Sequence, residues 1–330
     1  MRANREAFER RRLRPRMLAG NRERDLSVEL LGTRFPVPFL LAPIGVLSIV
    51  HPEGELAAAR AAAETGVPFI LSSAASHSIE EIAAAMGDAK RWFQLYWVND
   101  RELVESFMRR AEAAGYGAIV VTLDTPVLGW RPRDLRNAYL PFLAGEGCAQ
   151  FFSDPVFLSR LARPPAEDVL TAAATMLSTF PNLGLTWADL DWLRGLTTLP
   201  LFVKGVLTAE DAETACGHGV DGVIVSNHGG RQVDGAVASL DALFEVREAL
   251  GAEATVLMDG GIRTGSDVVK ALALGADAVL IGRPYAFGLA VGGQAGVEAV
   301  IRQLLAETDL TLALSGGRAI ADLDRSLVAP

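Results

Sequence analysis

The sequence predicts an α/β fold: a closed (β/α)8 TIM barrel with an insertion between its fourth and fifth strands. Three observations carry this. Eight short apolar runs rich in Val, Ile, Leu and Phe alternate with alanine-rich, helix-patterned segments, the pattern of parallel strands joined by crossover helices. Their starts lie 21 to 33 residues apart, except for one interval of 83 residues that must hold inserted chain. Polar, chemistry-bearing residues recur at the C-terminal ends of the runs, the end where such barrels gather their active sites.

The 330-residue chain opens with nine arginines in its first 24 residues, including Arg10-Arg11-Arg12. Interspersed Glu6, Glu9 and Glu23 make this a solvated helix rather than a polyanion-binding arm. Asp25–Pro38 reads as a short hairpin that plugs the barrel bottom, so residues 1–38 form an N-terminal helix and hairpin. The strands follow at Phe39–Gly45, Pro68–Ser73, Arg91–Trp97, Ala118–Asp124, Leu201–Val206, Gly222–Asn227, Thr255–Gly261 and Ala278–Pro284. Glu53–Gly66 and Arg101–Gly115 are representative helices. Ser78 with Glu81, Asn99 with Glu102 and Thr264 with Asp267 have the spacing of capping boxes. Gly66, Gly115, Gly219 and Gly275 close helices in the left-handed conformation glycine favours. Gly129–Leu199, less a fourth barrel helix, is the insertion; its Pro, Phe and Trp residues point to an ordered lid or pocket wall. Residues 1–330 read as one domain. A doubly wound sheet competes, but no GxGxxG follows the first strand and eight consecutive units match barrel closure.

Half the residues are apolar and 32 are glycine, as a compact α/β core requires. A net charge of −9 argues against nucleic acid or an anionic membrane as partner. Any anionic ligand is therefore held by local arginines. Cys148 and Cys216 have no CxxC spacing and read as buried apolar filler, and no grouping has metal-ligand spacing. With no 18-residue apolar run and no signal peptide, a reducing cytoplasm is the expected location.

The most informative stretch is Ser226-Asn227-His228-Gly229-Gly230-Arg231-Gln232, which directly follows the buried run Gly222-Val223-Ile224-Val225. It puts a proton-exchanging histidine, a carboxylate-clamping arginine and two permissive glycines at one strand end. Other strand ends supply Ser72, Gln94 with Tyr96, Thr122 with Asp124, and Lys204. The seventh and eighth supply Asp259-Gly260-Gly261-Ile262-Arg263 and Gly282-Arg283-Pro284, where glycine amides and an arginine together suit a phosphate. A phosphorylated cofactor is expected there, with Asp259 able to accept hydrogen bonds from sugar or ribityl hydroxyls. Plainer readings stand beside these. Gln94 and Thr122 can merely satisfy polar positions in the barrel mouth, and Asp259 can form a salt bridge with Arg263. A strand lysine such as Lys204 needs an anion or forms a Schiff base. His51, His77 and His218 have no partner nearby in sequence and read as loop or helix-surface residues.

Taken in order from about Asn4 to the C-terminus, these segments resemble the FMN-dependent α-hydroxy-acid oxidase and dehydrogenase family. The resemblance implies FMN at the strand C-termini and oxidation of an L-2-hydroxy acid, foremost L-lactate, to the 2-oxo acid, with O2 as acceptor. His228 would be the base beside flavin N5, oriented by Asp124. Arg131 and Arg231 would clamp the substrate carboxylate, and Tyr96 would hydrogen-bond the substrate. Lys204 would face flavin N1 and C2=O. Ala42-Pro43-Ile44, Ser72, Gln94, Thr122 and Ser226 would hold the isoalloxazine, and Asp259, Gly261, Arg263, Gly282 and Arg283 the ribityl phosphate.

Within the family, Ala42-Pro43-Ile44-Gly45-Val46, Trp130-Arg131-Pro132-Arg133-Asp134 and the insertion ending near Leu185-Thr186-Trp187 resemble the lactate 2-monooxygenase branch, which decarboxylates the bound product to acetate and CO2. Ala74 stands where glycolate oxidases resemble one another in having tryptophan, leaving room beside the α-carbon. The family also implies a homotetramer. It usually carries a further N-terminal segment, whose tyrosine reaches the substrate, before the helix matching Asn4–Leu18. The chain is expected to begin after it, so a weakly active or inactive FMN-binding homologue is an alternative. So is a dehydrogenase using another electron acceptor. Two other phosphate-binding barrels are weaker rivals. An IMP dehydrogenase-like enzyme needs a nucleophilic cysteine, and an FMN-dependent isopentenyl-diphosphate isomerase has no need of the His228/Arg231 pair.

Overall fold

A computed structural model describes residues 1–329. Eight strands form the expected barrel: β1 (Phe39–Leu41), β2 (Phe69–Ser72), β3 (Arg91–Tyr96), β4 (Ile119–Thr122), β5 (Leu201–Val206), β6 (Gly222–Val225), β7 (Thr255–Asp259) and β8 (Ala278–Ile281). Each pairs in parallel with the next, and β8 returns to β1. Covered on both faces, these strands read as continuous apolar runs rather than alternating ones; Ile119–Val121 and Val223–Val225 are fully buried. Most end one to four residues earlier than the sequence pattern suggests. Asp124, Asn227 and Gly261 have left the ladder, because these polar or glycine residues turn into the loops that form the barrel mouth.

Helices Gly54–Thr65, Ile79–Met86, Arg101–Ala113, Ala209–Gly217, Ser239–Leu250 and Gly265–Ala273 follow β1, β2, β3, β5, β6 and β7. Helix Arg283–Leu314 follows β8 and breaks its helical geometry at Gly292 and Gly293. The insertion follows β4. It carries short helices at Pro132–Asn137, Ala149–Phe152, Pro155–Leu158, Val169–Thr179 and Asp189–Arg194. The bottom hairpin pairs Val28–Leu30 with Thr33–Phe35. Its Phe35 meets Trp92 edge-on at 6.3 Å, and Trp92 stacks on Phe202 at 4.9 Å. Burying one such ring contributes about 2 kcal/mol.

Some local expectations are corrected. The Ser78/Glu81 and Thr264/Asp267 capping boxes form, but Asn99 does not cap its helix. Asp100 does, accepting from the Leu103 N–H at 3.2 Å, while Asn99 binds the carbonyls of Ser178 and Pro181. The N-terminal helix spans only Arg2–Arg10 and is not simply solvated, since Asn4, Ala7 and Phe8 are buried. The following Arg12–Leu13 pairs as a strand with Val328–Ala329. Gly66 and Gly219 adopt the left-handed conformation at or just after their helix ends, as do Gly115 and Gly275. His77 is half-buried against the buried carboxylate of Glu55 at 3.1 Å, and that hydrogen bond raises its pKa. His218 pairs with Asp191 at 2.8 Å. Cys148 is buried, but Cys216 is partly exposed.

Candidate active site

Three hydrogen-bonded sets join the strand ends into one mouth. The first runs across β2, β3 and β4, where register places Ser72 beside Gln94 and Tyr96 beside Thr122. Gln94 accepts from the Ser72 hydroxyl at 3.0 Å and donates to Thr122 Oγ1 at 2.9 Å. These three buried side chains therefore satisfy one another, which settles the plainer reading of Gln94 and Thr122 without excluding contact with a ligand.

The second set is centred on Ser226, just beyond β6. Its hydroxyl accepts from Lys204 Nζ at 2.8 Å and from the His228 backbone N–H at 3.0 Å, and donates to Asp259 Oδ1 at 2.6 Å. That uses both lone pairs and the proton. Lys204 Nζ also lies 3.1 Å from Asp259 Oδ2. Asp259 thus pairs with Lys204 and not with Arg263. Burial lowers the Lys204 pKa, but Asp259 and then Asp124 outweigh it, and the net shift is upward.

The third set is the histidine. His228 sits at φ 55°, a left-handed conformation that costs a non-glycine residue about 1 kcal/mol or more. Its Nδ1 lies 2.8 Å from Asp124 Oδ1 and 3.2 Å from Thr125 Oγ1, and Thr125 donates to the same Asp124 oxygen at 3.0 Å. Burial pushes the Asp124 carboxyl up, but Lys204 and then the His228 hydrogen bond bring it below the ordinary carboxylate value. Asp124 Oδ2 is buried with no hydrogen-bond partner among the described residues. The Tyr96 ring stacks near His228, with centroids 6.5 Å apart. Behind it, Phe180 lies 6.0 Å from Tyr96 and stacks on Phe142 at 6.2 Å. The insertion therefore packs aromatic rings beside Tyr96. Burial raises the Tyr96 pKa, so its hydroxyl stays protonated.

Four arginines, one after each of β4, β6, β7 and β8, lie around this mouth. Arg131 precedes helix Pro132–Asn137 and is half-buried, with its Nε partnerless. Burial, then the like charge of Arg231, lowers its pKa. Arg263 and Arg283 are likewise lowered by burial and then by neighbouring arginines. Arg263 binds only its own chain at Ile262 O, and Arg283 the carbonyl of Gly229 at 3.1 Å and Met1 Sδ at 2.9 Å. Gly261 adopts φ 89°, and a Cβ there would come within 2.6 Å of Asn4 O. Ala42 is buried, with its carbonyl taken by Tyr285 Oη, whereas Pro43 and Ile44 are partly exposed at the mouth. Gly282 lies between β8 and Arg283, with only distant contacts around its missing Cβ.

Sequence reasoning missed three contributors. Thr125 bridges Asp124 and His228. Asn4 and Asn227 exchange amide hydrogen bonds at 2.8 and 2.7 Å, seating the N-terminal helix against the signature segment. Gln232 ties two loops together. Gln232 and Asn227 carried a local signal, as part of the Ser226–Gln232 stretch.

A barrel with a carboxylate-paired histidine, a buried lysine and unpaired arginines at its C-terminal mouth has the groups that suit a phosphorylated cofactor and an acidic substrate. Residues 1–330 match the family description "FMN-dependent dehydrogenase" throughout. The L-lactate oxidase of Nostoc sp. is 46% identical over 329 residues, covering 98% of this chain and 88% of that protein. The glycolate oxidase of Spinacia oleracea is 43% identical over 328 residues, covering 99% and 86%. A mandelate oxidase crystal structure superposes with TM-score 0.86 at 40% identity, covering 98% and 88%. An active chimera of (S)-mandelate dehydrogenase gives 0.88 at 40% identity, covering 99% and 90%. The chain belongs to the FMN-dependent dehydrogenase family of α-hydroxy-acid oxidoreductases, and its cofactor is FMN.

The residues present fit that cofactor. Arg263 and Arg283 are crowded, half-buried cations with no carboxylate partner among the described residues, as a phosphate dianion requires. The cysteine rival fails on chemistry, since burial pushes the Cys148 thiol up to about 12. No helix is long and apolar enough to cross a membrane, and no metal-binding group occurs among the described residues.

Proposed function

We propose that the chain oxidises an L-2-hydroxy acid, with L-lactate as the leading substrate, and passes the electrons to O2. The observation that carries this is the His228–Asp124 pair at 2.8 Å, set beside Tyr96 and the unpaired Arg131 and Arg231. FMN supplies the two-electron acceptor. Arg263 and Arg283, with the Gly261 and Gly282 backbone and Asp259, hold its phosphate and ribityl chain. Ala42, Pro43, Ile44, Ser72, Gln94, Thr122 and Ser226 hold its ring, and the Lys204 ammonium offsets negative charge there.

Arg131 and Arg231 bind the substrate carboxylate, and Tyr96 donates to it or to the hydroxyl. Asp124 holds Nδ1 of His228, which leaves Nε2 to take the substrate proton, and stabilises the resulting imidazolium. The hydroxy acid loses two electrons and two protons to become the 2-oxo acid, and O2 becomes hydrogen peroxide.

The finer reading is lactate 2-monooxygenase: pyruvate, retained behind the insertion, reacts with peroxide to give acetate, CO2 and water. The insertion and its Phe142/Phe180 stack support retention. Product analysis in air tests it. Acetate and CO2 in equal amounts are expected, whereas pyruvate with free peroxide identifies a simple oxidase.

We infer further that residues 1–330 act as one domain within a homotetramer in the cytoplasm. Exposed Phe287, Val291, Leu310 and Leu314 on the last long helix support association, and the unpaired Cys148 and Cys216 suit a reducing compartment. Light scattering tests the assembly.

A further inference from the structure

The loop that carries Asp124 and Arg131 has little of its own to hold it. Val127, Leu128 and Trp130 are exposed, and helix Pro132–Asn137 buries no residue. One tether is the Pro126 carbonyl, which accepts from the Asn182 N–H at 3.1 Å. Asp124 and Thr125 are also held by His228, and three further hydrogen bonds converge on a single side chain from the β6 loop. Gln232 Nε2 donates to Asp124 O at 2.8 Å and to Val127 O at 3.0 Å, and Gln232 Oε1 accepts from the Gly129 N–H at 3.1 Å. The two backbones touch at that point. A Cβ on Gly129 would lie 2.6 Å from Arg231 O and 2.9 Å from Gln232 Cα.

Gln232 thus immediately follows one arginine and grips the loop two residues short of the other. Arg131 and Arg231 carry like charges, and after burial it is Arg231 that lowers the Arg131 pKa; no carboxylate bridges them among the described residues. We infer that Gln232 is a positioning residue: its three hydrogen bonds fix Arg131 at the distance from Arg231 that a substrate carboxylate spans. The inference rests on the proposed clamp by these two arginines. Asp124 is less dependent on Gln232, because its side chain is packed against Gly205 and paired with His228. Loss of Gln232 therefore acts on carboxylate binding more than on proton transfer, and raises KM more than it lowers kcat.

A double-mutant cycle on the FMN-loaded protein tests this, with oxalate as a carboxylate probe that has no C–H bond to oxidise. Its Kd is read from the change in flavin absorbance for wild type, Gln232→Leu, Arg131→Met and the double variant. Gln232→Leu is expected to weaken oxalate by about tenfold in the wild-type background and by no more than about twofold beside Arg131→Met, since coupled neighbours are non-additive. FMN affinity stays unchanged in all four. If Gln232→Leu fails to fold, Gln232→Glu keeps the acceptor for Gly129 while losing both donors, and enters the same cycle. Additive effects, or wild-type oxalate affinity in the Gln232 variant beside a weakened Arg131→Met, overturn the inference alone. Unchanged oxalate affinity in Arg131→Met overturns the arginine clamp and the inference with it.

Discussion

His228 Nδ1 lies 2.8 Å from Asp124 Oδ1 across 104 residues of sequence. The contact assigns the two ring nitrogens different work. Nδ1 is committed to the carboxylate, and Nε2 is the ring nitrogen left without a hydrogen-bond partner among the described residues. Asp124 remains charged because Lys204 and His228 together outweigh its burial.

Replacing Asp124 by asparagine keeps the shape but removes the charge that stabilises a protonated imidazole. Flavin reduction by the hydroxy acid should slow by about ten-thousandfold, the scale seen when a catalytic histidine loses its carboxylate. FMN content should stay at wild-type level. His228→Gln should slow reduction at least as much, again with FMN retained. Anaerobic stopped-flow absorbance measures both, and a comparable loss of FMN in either variant contradicts the assignment.

Gly205 is the glycine this pair depends on. It interrupts the register between β5 and β6, adopts φ 110°, and lies so close to Asp124 that a Cβ would come within 2.7 Å of the Asp124 Cβ. Gly205→Ala combines a backbone penalty with a clash and should cost about 2 kcal/mol or more of stability. Reduction should slow along with it. Chemical unfolding monitored with and without FMN checks the first effect, and a wild-type midpoint refutes it.

The phosphate assignment separates two flavins. Removing one charge-assisted contact with Arg263→Gln should weaken FMN by roughly 10- to 100-fold. Riboflavin, which lacks the phosphate, should bind the variant and the wild type equally. Fluorescence titration with both flavins decides, and parallel losses would place the phosphate elsewhere.

Lys204 gives a pH dependence with a definite sign. Its folded pKa lies above the free lysine value of 10.5, because Asp259 and Asp124 outweigh burial. A raised pKa contributes stability that is fully present below the unfolded value and is lost as pH rises through the folded one. The Tm difference between wild type and Lys204→Met should therefore hold steady below about pH 10.5 and shrink above it. A difference that grows with alkaline pH would contradict the ion pair.

The barrel was legible because each strand is a buried apolar run, and runs such as Gly222–Val225 need no partner to be recognised. Its active-site segments were legible for a related reason: His228, Arg231 and the two glycine–arginine loops each lie within a few residues of a strand end. Long-range pairings were not, apart from His228 with Asp124, which the family resemblance supplied. Nothing near Asn4 announces a partner 223 residues away in Asn227, and His77 meets Glu55 only because two neighbouring units pack side by side. The arginine-rich start misled for a chemical reason, since long charged side chains on one face hide the buried Ala7 and Phe8 on the other. The Asn99 error was a choice between adjacent capping residues that only backbone geometry resolves.

The most direct test of the account is anaerobic addition of L-lactate to the FMN-loaded protein, followed by flavin absorbance. Bleaching with L-lactate, none with D-lactate, and none in His228→Gln is the predicted result. A protein that holds FMN stoichiometrically yet is reduced by no L-2-hydroxy acid would contradict it.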